Sequence, residues 1–456
     1  MNVLNLFKPA PFIEPIEDPE VLQKQYKYWR VRIFYSMFFG YAFFYFTRKS
    51  FTFAMPAMII EMGFTKSELG ILSSILFISY GASKFVSGIL GDRSNPRYFM
   101  AFGLIATGVI NILFGFSSSL IIFAVLWGLN GWFQGFGWPP ACRLLTHWYS
   151  QSERGRWWSA WSTSHNVGGA VIPILVGYCA QSWGWRYAMY VPGVICVIMG
   201  LWLVNRLRDT PQSLGLPAVE KFRNDNVTGD NPDKERELSV KETLFKYVLS
   251  NKLIWMLAIA YFFVYVVRTA VNDWTALFLF EERGYSQMGA GGIVAWFEFG
   301  GFFGMLIAGW ASDTIFKGKR VPVMVIYMVG IMFPIMGFWM VSSSTTMFDT
   351  MCMVLVGFFI FGPQMLVGCC AADLSHKKAA ATATGFVGWF AYIGAAFAGY
   401  PLGKIIEVYG WIGFFVTIAV CSIITILLLI PMWSVRSRSE AQRAALDSDK
   451  KEEALA

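Results

Sequence analysis

Residues 411–433 read WIGFFVTIAVCSIITILLLIPMW, 23 consecutive positions without a charged side chain. A hydrocarbon core about 30 Å thick is crossed by about 20 helical residues, so this stretch is long enough to span a bilayer. Comparable apolar runs recur back to Val31. They place helices near 31–60, 67–90, 98–117, 120–145, 157–182, 186–204, 252–280, 287–311, 321–342, 348–372, 379–404 and 411–433. The composition agrees: 56% of the 456 residues are hydrophobic and only 14% charged. The mean hydropathy is +0.50. These runs exclude a soluble enzyme and a single-anchor receptor, and they lack the alternating ten-residue segments of an outer-membrane barrel. The expected fold is an all-α membrane protein.

The long polar stretch 205–251 reads as a linker between two six-helix bundles, 31–204 and 252–433, with a segment 1–30 before them and a tail 434–456 behind. Twenty-nine of the 37 lysines and arginines lie at the N-terminus, in the linker, in the tail and in loops on their side. Lys66, Arg186, Arg283 and Lys404 lie in opposite loops, while Arg48, Lys49, Lys84 and Arg268 fall within spans. Basic loops mark the cytoplasmic side, so both termini are expected there. The formal charge of +8 then reflects loops facing the anionic inner leaflet, and no nucleic-acid partner is required. The first 30 residues carry Pro9, Pro11, Pro15 and Pro19 among acids, unlike a cleaved secretory signal. The seven cysteines are scattered through apolar runs, so neither a disulfide framework nor a metal or cofactor site is expected.

The two halves repeat each other. Gly88-x-x-x-Asp92-Arg93, followed by Arg97, recurs as Gly309-x-x-x-Asp313, followed by Lys317, Lys319 and Arg320. Tyr41, Tyr45 and Arg48 recur as Tyr261, Tyr265 and Arg268, and Trp183-Gly184-Trp185 as Tyr409-Gly410-Trp411. Two repeated bundles around a midplane site are a common design of secondary transporters. The i, i+4, i+7 spacing puts each arginine and its two tyrosines on one helix face. A cation at the centre of a membrane helix costs about 2.5–3.5 kcal/mol, which calls for a compensating role. Guanidinium offers forked donors that match phosphate and stays charged at any working pH. The alternative for each arginine is snorkelling or pairing with an acid such as Asp273.

The Gly-x-x-x-Asp-Arg loop and the six-plus-six layout resemble the major facilitator superfamily. Within it, Arg154-Gly155 and Trp161-Ser162-Thr163-Ser164-His165-Asn166-Val167-Gly168-Gly169 resemble the signature of the organophosphate:phosphate antiporters. So do Phe46-Thr47-Arg48-Lys49-Ser50, Tyr80-Gly81-Ala82-Ser83-Lys84-Phe85, Tyr265-Val266-Val267-Arg268 and Phe361-Gly362-Pro363-Gln364-Met365-Leu366. The resemblance covers nearly the whole chain. Arg206-Leu207-Arg208-Asp209 and Leu214-Gly215-Leu216-Pro217 are most similar to the bacterial hexose-phosphate sensor and transporter branch. What this implies is a multi-pass inner-membrane antiporter, functional as a monomer, that takes up a hexose phosphate, glucose 6-phosphate, in exchange for inorganic phosphate. The different-class alternative is a sensor of external glucose 6-phosphate that signals to a histidine kinase partner. An enzyme is not expected, since no nucleophile-base constellation stands out.

Arg48 and Arg268 would bridge the dianionic phosphate. Lys84, four residues after Tyr80, would widen the positive field, and His165, four after Trp161, would add a donor that titrates near neutral pH. Gln134 and Trp138, also four apart, join Trp161, Asn166, Glu298 and Tyr392 as lining candidates through the family motifs. Against each stands a bland reading, a snorkelled lysine, a structural histidine or plain aromatic packing. Gly88, Asp92, Arg93, Gly309 and Asp313 are assigned to conformational switching, tying adjacent helices through carboxylates and nearby basic residues. Gly131, Gly135, Gly137, Gly168 and Gly169 are expected to permit close helix packing.

Overall fold

The computed structural model describes residues 7–64, 66–225, 239–285, 287–341 and 345–436, and all regular structure among them is helical. Hydrocarbon offers no partner to a backbone N–H or C=O, so a chain this apolar closes its hydrogen bonds within helices. The helices are α1 (Pro19–Met62), α2 (Lys66–Asp92), α3 (Pro96–Phe116), α4 (Leu120–Gln134), α5 (Trp138–Trp148), α6 (Arg154–Ser162), α7 (Ser164–Trp183) and α8 (Tyr187–Arg206). After these come α9 (Val219–Phe222), α10 (Lys252–Arg283), α11 (Gln287–Thr314), α12 (Val321–Gly330), α13 (Met332–Met340), α14 (Thr346–Leu374), α15 (Ala380–Phe397) and α16 (Tyr400–Leu429). Ten stretches among the described residues are long and apolar enough to cross a membrane. Spans one and five, on α1 and on α6 with α7, complete the twelve.

Local sequence sets the helix ends. The Asn95 side chain accepts from the Arg97 amide ahead of α3, and Asn251 accepts from Leu253 ahead of α10. Gly284, at φ +68°, ends α10 in a left-handed conformation that glycine adopts without strain. Three expected spans are broken. Gly135–Gly137 separate α4 from α5, where Pro139 and Pro140 cannot donate to the helical ladder. A turn at Thr163 separates α6 from α7, and one at Ile331 separates α12 from α13. Two expectations are corrected in consequence: Gln134 and Trp138, and likewise Trp161 and His165, do not share the face of one continuous helix. The twelfth span begins at Gly410, where φ +64° and ψ −164° bend α16.

The chain forms two compact units: Met1–Ser150 with Ser164–Val248 and Ser375–Phe386, and Gln151–Thr163 with Leu249–Leu374 and Val387–Ala456. Each takes in a short segment from the other half of the chain. In the first unit α3 packs on α8, α2 on α4, and α1 on α7; in the second the largest interface joins α11 to α14. Small residues permit these approaches. A Cβ added at Gly131 would lie 2.6 Å from the Leu76 carbonyl oxygen, and one at Gly168 would collide with that of Ala42. In the second unit Gly300, Gly304 and Gly357 face the carbonyls of Val354, Phe358 and Phe297 in the same way. Gly169 departs from expectation, since an added Cβ there meets nothing within 4 Å.

This contrast predicts opposite outcomes for two substitutions. Gly304→Leu should force α11 and α14 apart and destabilise the protein by about 1–3 kcal/mol or more, whereas Gly169→Ala, inside α7, should keep or raise stability, by up to about 1 kcal/mol. Thermal unfolding of the detergent-purified proteins by size-exclusion chromatography checks both.

Candidate functional site

In the first unit, the unbroken α1 carries Tyr41, Tyr45 and Arg48 on one face. The Arg48 guanidinium is sandwiched, its Cζ 4.4 Å from the Tyr45 ring centroid and 4.4 Å from that of Tyr80 on α2. Its Nε donates to Gln134 Oε1 at 3.1 Å. Gln134 in turn donates to Thr47 Oγ1 (3.0 Å) and Asn130 Oδ1 (3.2 Å), and Asn130 donates to the Thr47 carbonyl (2.9 Å). Gln134 is fully buried and holds Arg48 through this bond. Around this core, His165 lies 5.8 Å from the Tyr45 ring, Trp138 lies 5.6 Å from Tyr41, and Lys84 Nζ stands 4.7 Å from the Trp138 ring. The two basic side chains are buried, Lys84 at 3% and His165 at 6% exposure. Asn166 is half-buried beside His165.

The second unit repeats the design on α10. Tyr261 and Tyr265 meet edge to face at 4.9 Å, and Arg268 Cζ lies 5.6 Å from the Tyr265 ring and 5.1 Å from that of Phe361. Tyr392 joins through Tyr265 (5.7 Å), and the Tyr261 hydroxyl donates to the Gln364 carbonyl (2.9 Å). Half-buried Glu298 follows Phe297, whose ring packs 5.1 Å from Phe361. Trp161 falls in this unit, buried against Trp158. Each unit thus presents one guanidinium held between aromatic rings, with two tyrosines one and two turns earlier on its helix. That arrangement keeps a permanent cation in an apolar bundle, and a guanidinium is a group whose donors match an oxyanion.

The Gly-x-x-x-Asp loops also act alike, and Asp313 pairs with the nearby Arg320. Asp92 accepts from the Ala381 amide (2.9 Å), the Thr382 amide (2.6 Å) and the Thr382 hydroxyl (2.6 Å), capping the start of α15. Asp313 accepts from the amides of Gly155 (3.2 Å) and Arg156 (2.7 Å), capping the start of α6. Gly88 and Gly309 make room for these helix starts; a Cβ on either would meet a carbonyl oxygen, of Ala381 or Gly155, at 2.6 Å. The partners are main-chain amides of helices remote in sequence, where carboxylates favour the positive helix end. Arg93, expected to take part, is exposed.

The Major Facilitator Superfamily profile matches residues 37–399. The chain belongs to this superfamily. Superfamily members are membrane transporters, not enzymes. A protein of Chlamydia muridarum (strain MoPn / Nigg) named probable hexose phosphate transport protein is 59% identical over 444 residues, which cover 95% of this chain and 97% of its own. Membrane sensor protein UhpC of Escherichia coli (strain K12) is 48% identical over 436 residues, covering 95% and 99%. These are relatives in the organophosphate:phosphate antiporter branch, as the motifs implied. The structure of the proton:xylose symporter XylE bound to 6-bromo-6-deoxy-D-glucose aligns with a TM-score of 0.69 over 92% of this chain and 99% of its own. At 13% identity it supports the fold alone.

Sequence reasoning quoted Arg154, Asp209 and Arg320 in motifs of this major facilitator chain but passed over Arg143, Asp373 and the pairs they form. Arg143 pairs with Asp209 (3.1 Å) and donates to the Asp92 carbonyl. In the second unit, Asp373 accepts from Arg154 (2.6 Å) and Arg320 (3.0 Å), and Arg320 also pairs with Asp313. All are buried. The signal available was Arg154-Gly155, quoted only as part of a signature. Nothing in the local sequence marked Asp373 or Asp209 as partners.

Proposed function

We propose that the protein is a bacterial inner-membrane carrier of hexose phosphate, with glucose 6-phosphate as its sugar substrate, and that it exchanges this substrate for inorganic phosphate. The observation that carries the reading is the duplicated aromatic-caged arginine, one per unit, in a chain 59% identical to a relative named for hexose phosphate transport. In the cycle a dianionic phosphate is held by Arg48 of one half and Arg268 of the other. Without it, two like charges in a low-dielectric setting repel with little screening. The empty carrier therefore interconverts poorly, and exchange dominates over leakage. Lys84 and His165 add donors from the N-terminal half, and Tyr265, Glu298 and Tyr392 line the substrate site in the C-terminal half. The halves are 31–204 and 252–433, the protein works as a monomer, and the distribution of basic loops puts both termini in the cytoplasm.

A second reading is favoured by the 48% identity to a membrane sensor: binding of external glucose 6-phosphate would be relayed to a histidine kinase. One experiment separates them. Purified protein in phosphate-loaded liposomes should accumulate labelled glucose 6-phosphate, and omission of internal phosphate should abolish the uptake. Saturable binding with no uptake under either condition would reject the carrier and leave the sensor.

A further inference from the structure

Away from both arginine cages, the first unit contains a small cavity of about 30 Å³. It is walled by the N-terminal segment (Pro9, Ala10, Phe12), the end of α5 (Arg143, His147), the stretch after α8 (Asp209, Thr210, Gln212) and Lys377 with Lys378 ahead of α15. The walls are fixed. The Ala10 amide donates to Asp209 Oδ2 (3.0 Å) and the Ile13 amide to the Gln212 carbonyl (3.3 Å), strapping the N-terminal segment across one side. Arg143 is held by Asp209, and Lys377 Nζ by both Glu220 oxygens at 3.0 and 2.8 Å. Arg143, Lys377 and Lys378 thus share the lining with one carboxylate, Asp209.

Two further groups define what the cavity asks for. His147, 4% exposed, has Nδ1 turned back on its own helix, donating to the Arg143 carbonyl at 2.9 Å. That bond requires the proton on Nδ1, so Nε2 on the opposite edge of the ring presents a lone pair. Gln212, 9% exposed, has a buried Oε1 with no hydrogen-bond partner. An unmade buried hydrogen bond of this kind costs about 1–3 kcal/mol. The lining thus combines cationic donors with two neutral acceptors in a space suited to one or two waters or one small tetrahedral ion.

We propose that this cavity binds a hydrogen-phosphate group, a species that carries both charged oxygens and a P–OH. Arg143, Lys377 and Lys378 receive the charged oxygens, while Gln212 Oε1 accepts from the hydroxyl. Inorganic phosphate and the headgroup of phosphatidic acid share this chemistry. Sulfate, of the same shape and charge but with no hydroxyl at neutral pH, does not. Occupancy would tie α5, residues 209–212 and Lys377–Lys378 together and so protect the Asp92-capped start of α15.

Hydrogen exchange of the full-length protein in phosphatidylcholine nanodiscs tests this at peptides 143–148 and 377–386, which contain none of the residues assigned to transport. Inorganic phosphate at ten times its Kd should slow exchange there about tenfold, and sulfate should not. Slowing that requires phosphatidic acid in the nanodisc would also support the site and assign it to lipid. Gln212→Leu should abolish the effect, while Arg48→Ala should leave it intact. No slowing with phosphate or phosphatidic acid, equal slowing with sulfate, or an undiminished response in Gln212→Leu would overturn the proposal. Because the readout is local, loss of transport by Arg48→Ala, or its absence altogether, has no bearing on the result.

Discussion

Replacing Arg48 or Arg268 with lysine should lower phosphate-coupled uptake about 100-fold or more, although the charge is retained. A hydrogen bond to a charged group contributes about 1.5–3 kcal/mol, and lysine loses the planar fork that makes two such bonds to one phosphate. It also loses its seat. The Arg48 guanidinium fills the gap between Tyr45 and Tyr80 and reaches Gln134 with its Nε, and Arg268 lies over Phe361 and Tyr265. A flexible ammonium with no planar face cannot meet both rings and the amide at once. Gln134→Leu should have a smaller effect of distinct form, raising KM while sparing kcat, because it releases Arg48 without removing it. Initial rates of labelled glucose 6-phosphate uptake into phosphate-loaded liposomes measure all three. Wild-type rates in either lysine variant would refute phosphate bridging.

The parts of this site that the sequence made legible are those within one unbroken helix. Tyr41, Tyr45 and Arg48 sit together because α1 runs continuously from Pro19 to Met62, and Tyr261, Tyr265 and Arg268 do so along α10. Spacing failed where glycine or a turn interrupts the helix: Gln134 and Trp138 lie on either side of Gly135–Gly137, and Trp161 and His165 on either side of Thr163. A periodicity argument assumes a constant 100° step per residue, and such breaks reset it. The aspartate loops were found by repetition, and Arg320 with them, but their main-chain partners were not. Thr382 is 290 residues from Asp92 and Arg156 is 157 from Asp313, and a main-chain amide leaves no trace in side-chain patterning. Arg93, adjacent to Asp92 and of the right charge, is exposed, while Arg143 reaches the Asp92 carbonyl.

The network around Asp373 carries the second large expectation. Asp373→Ala should destabilise the second unit by about 3–5 kcal/mol, the range for removing one partner of a buried ion pair. Its carboxylate bonds Arg154 and Arg320 at once, and the three side chains are at most 8% exposed. Arg320 would retain Asp313, and Arg154 would retain Gln151 at 2.7 Å, so two buried cations would share one buried carboxylate and one amide. Arg156→Ala makes the comparison. Arg156 also approaches Asp313, at 3.6 Å, but its side chain is 51% exposed, and an exposed pair of this kind contributes about 0–1 kcal/mol. Thermal unfolding in detergent should therefore separate the two variants clearly. Hydrogen exchange should accelerate across 151–163 in Asp373→Ala, because Arg154 ties that segment to α14. Equal stability of the two variants would mean that this segment is held by the Asp313 cap and helix packing, with the buried ion pairs contributing nothing net.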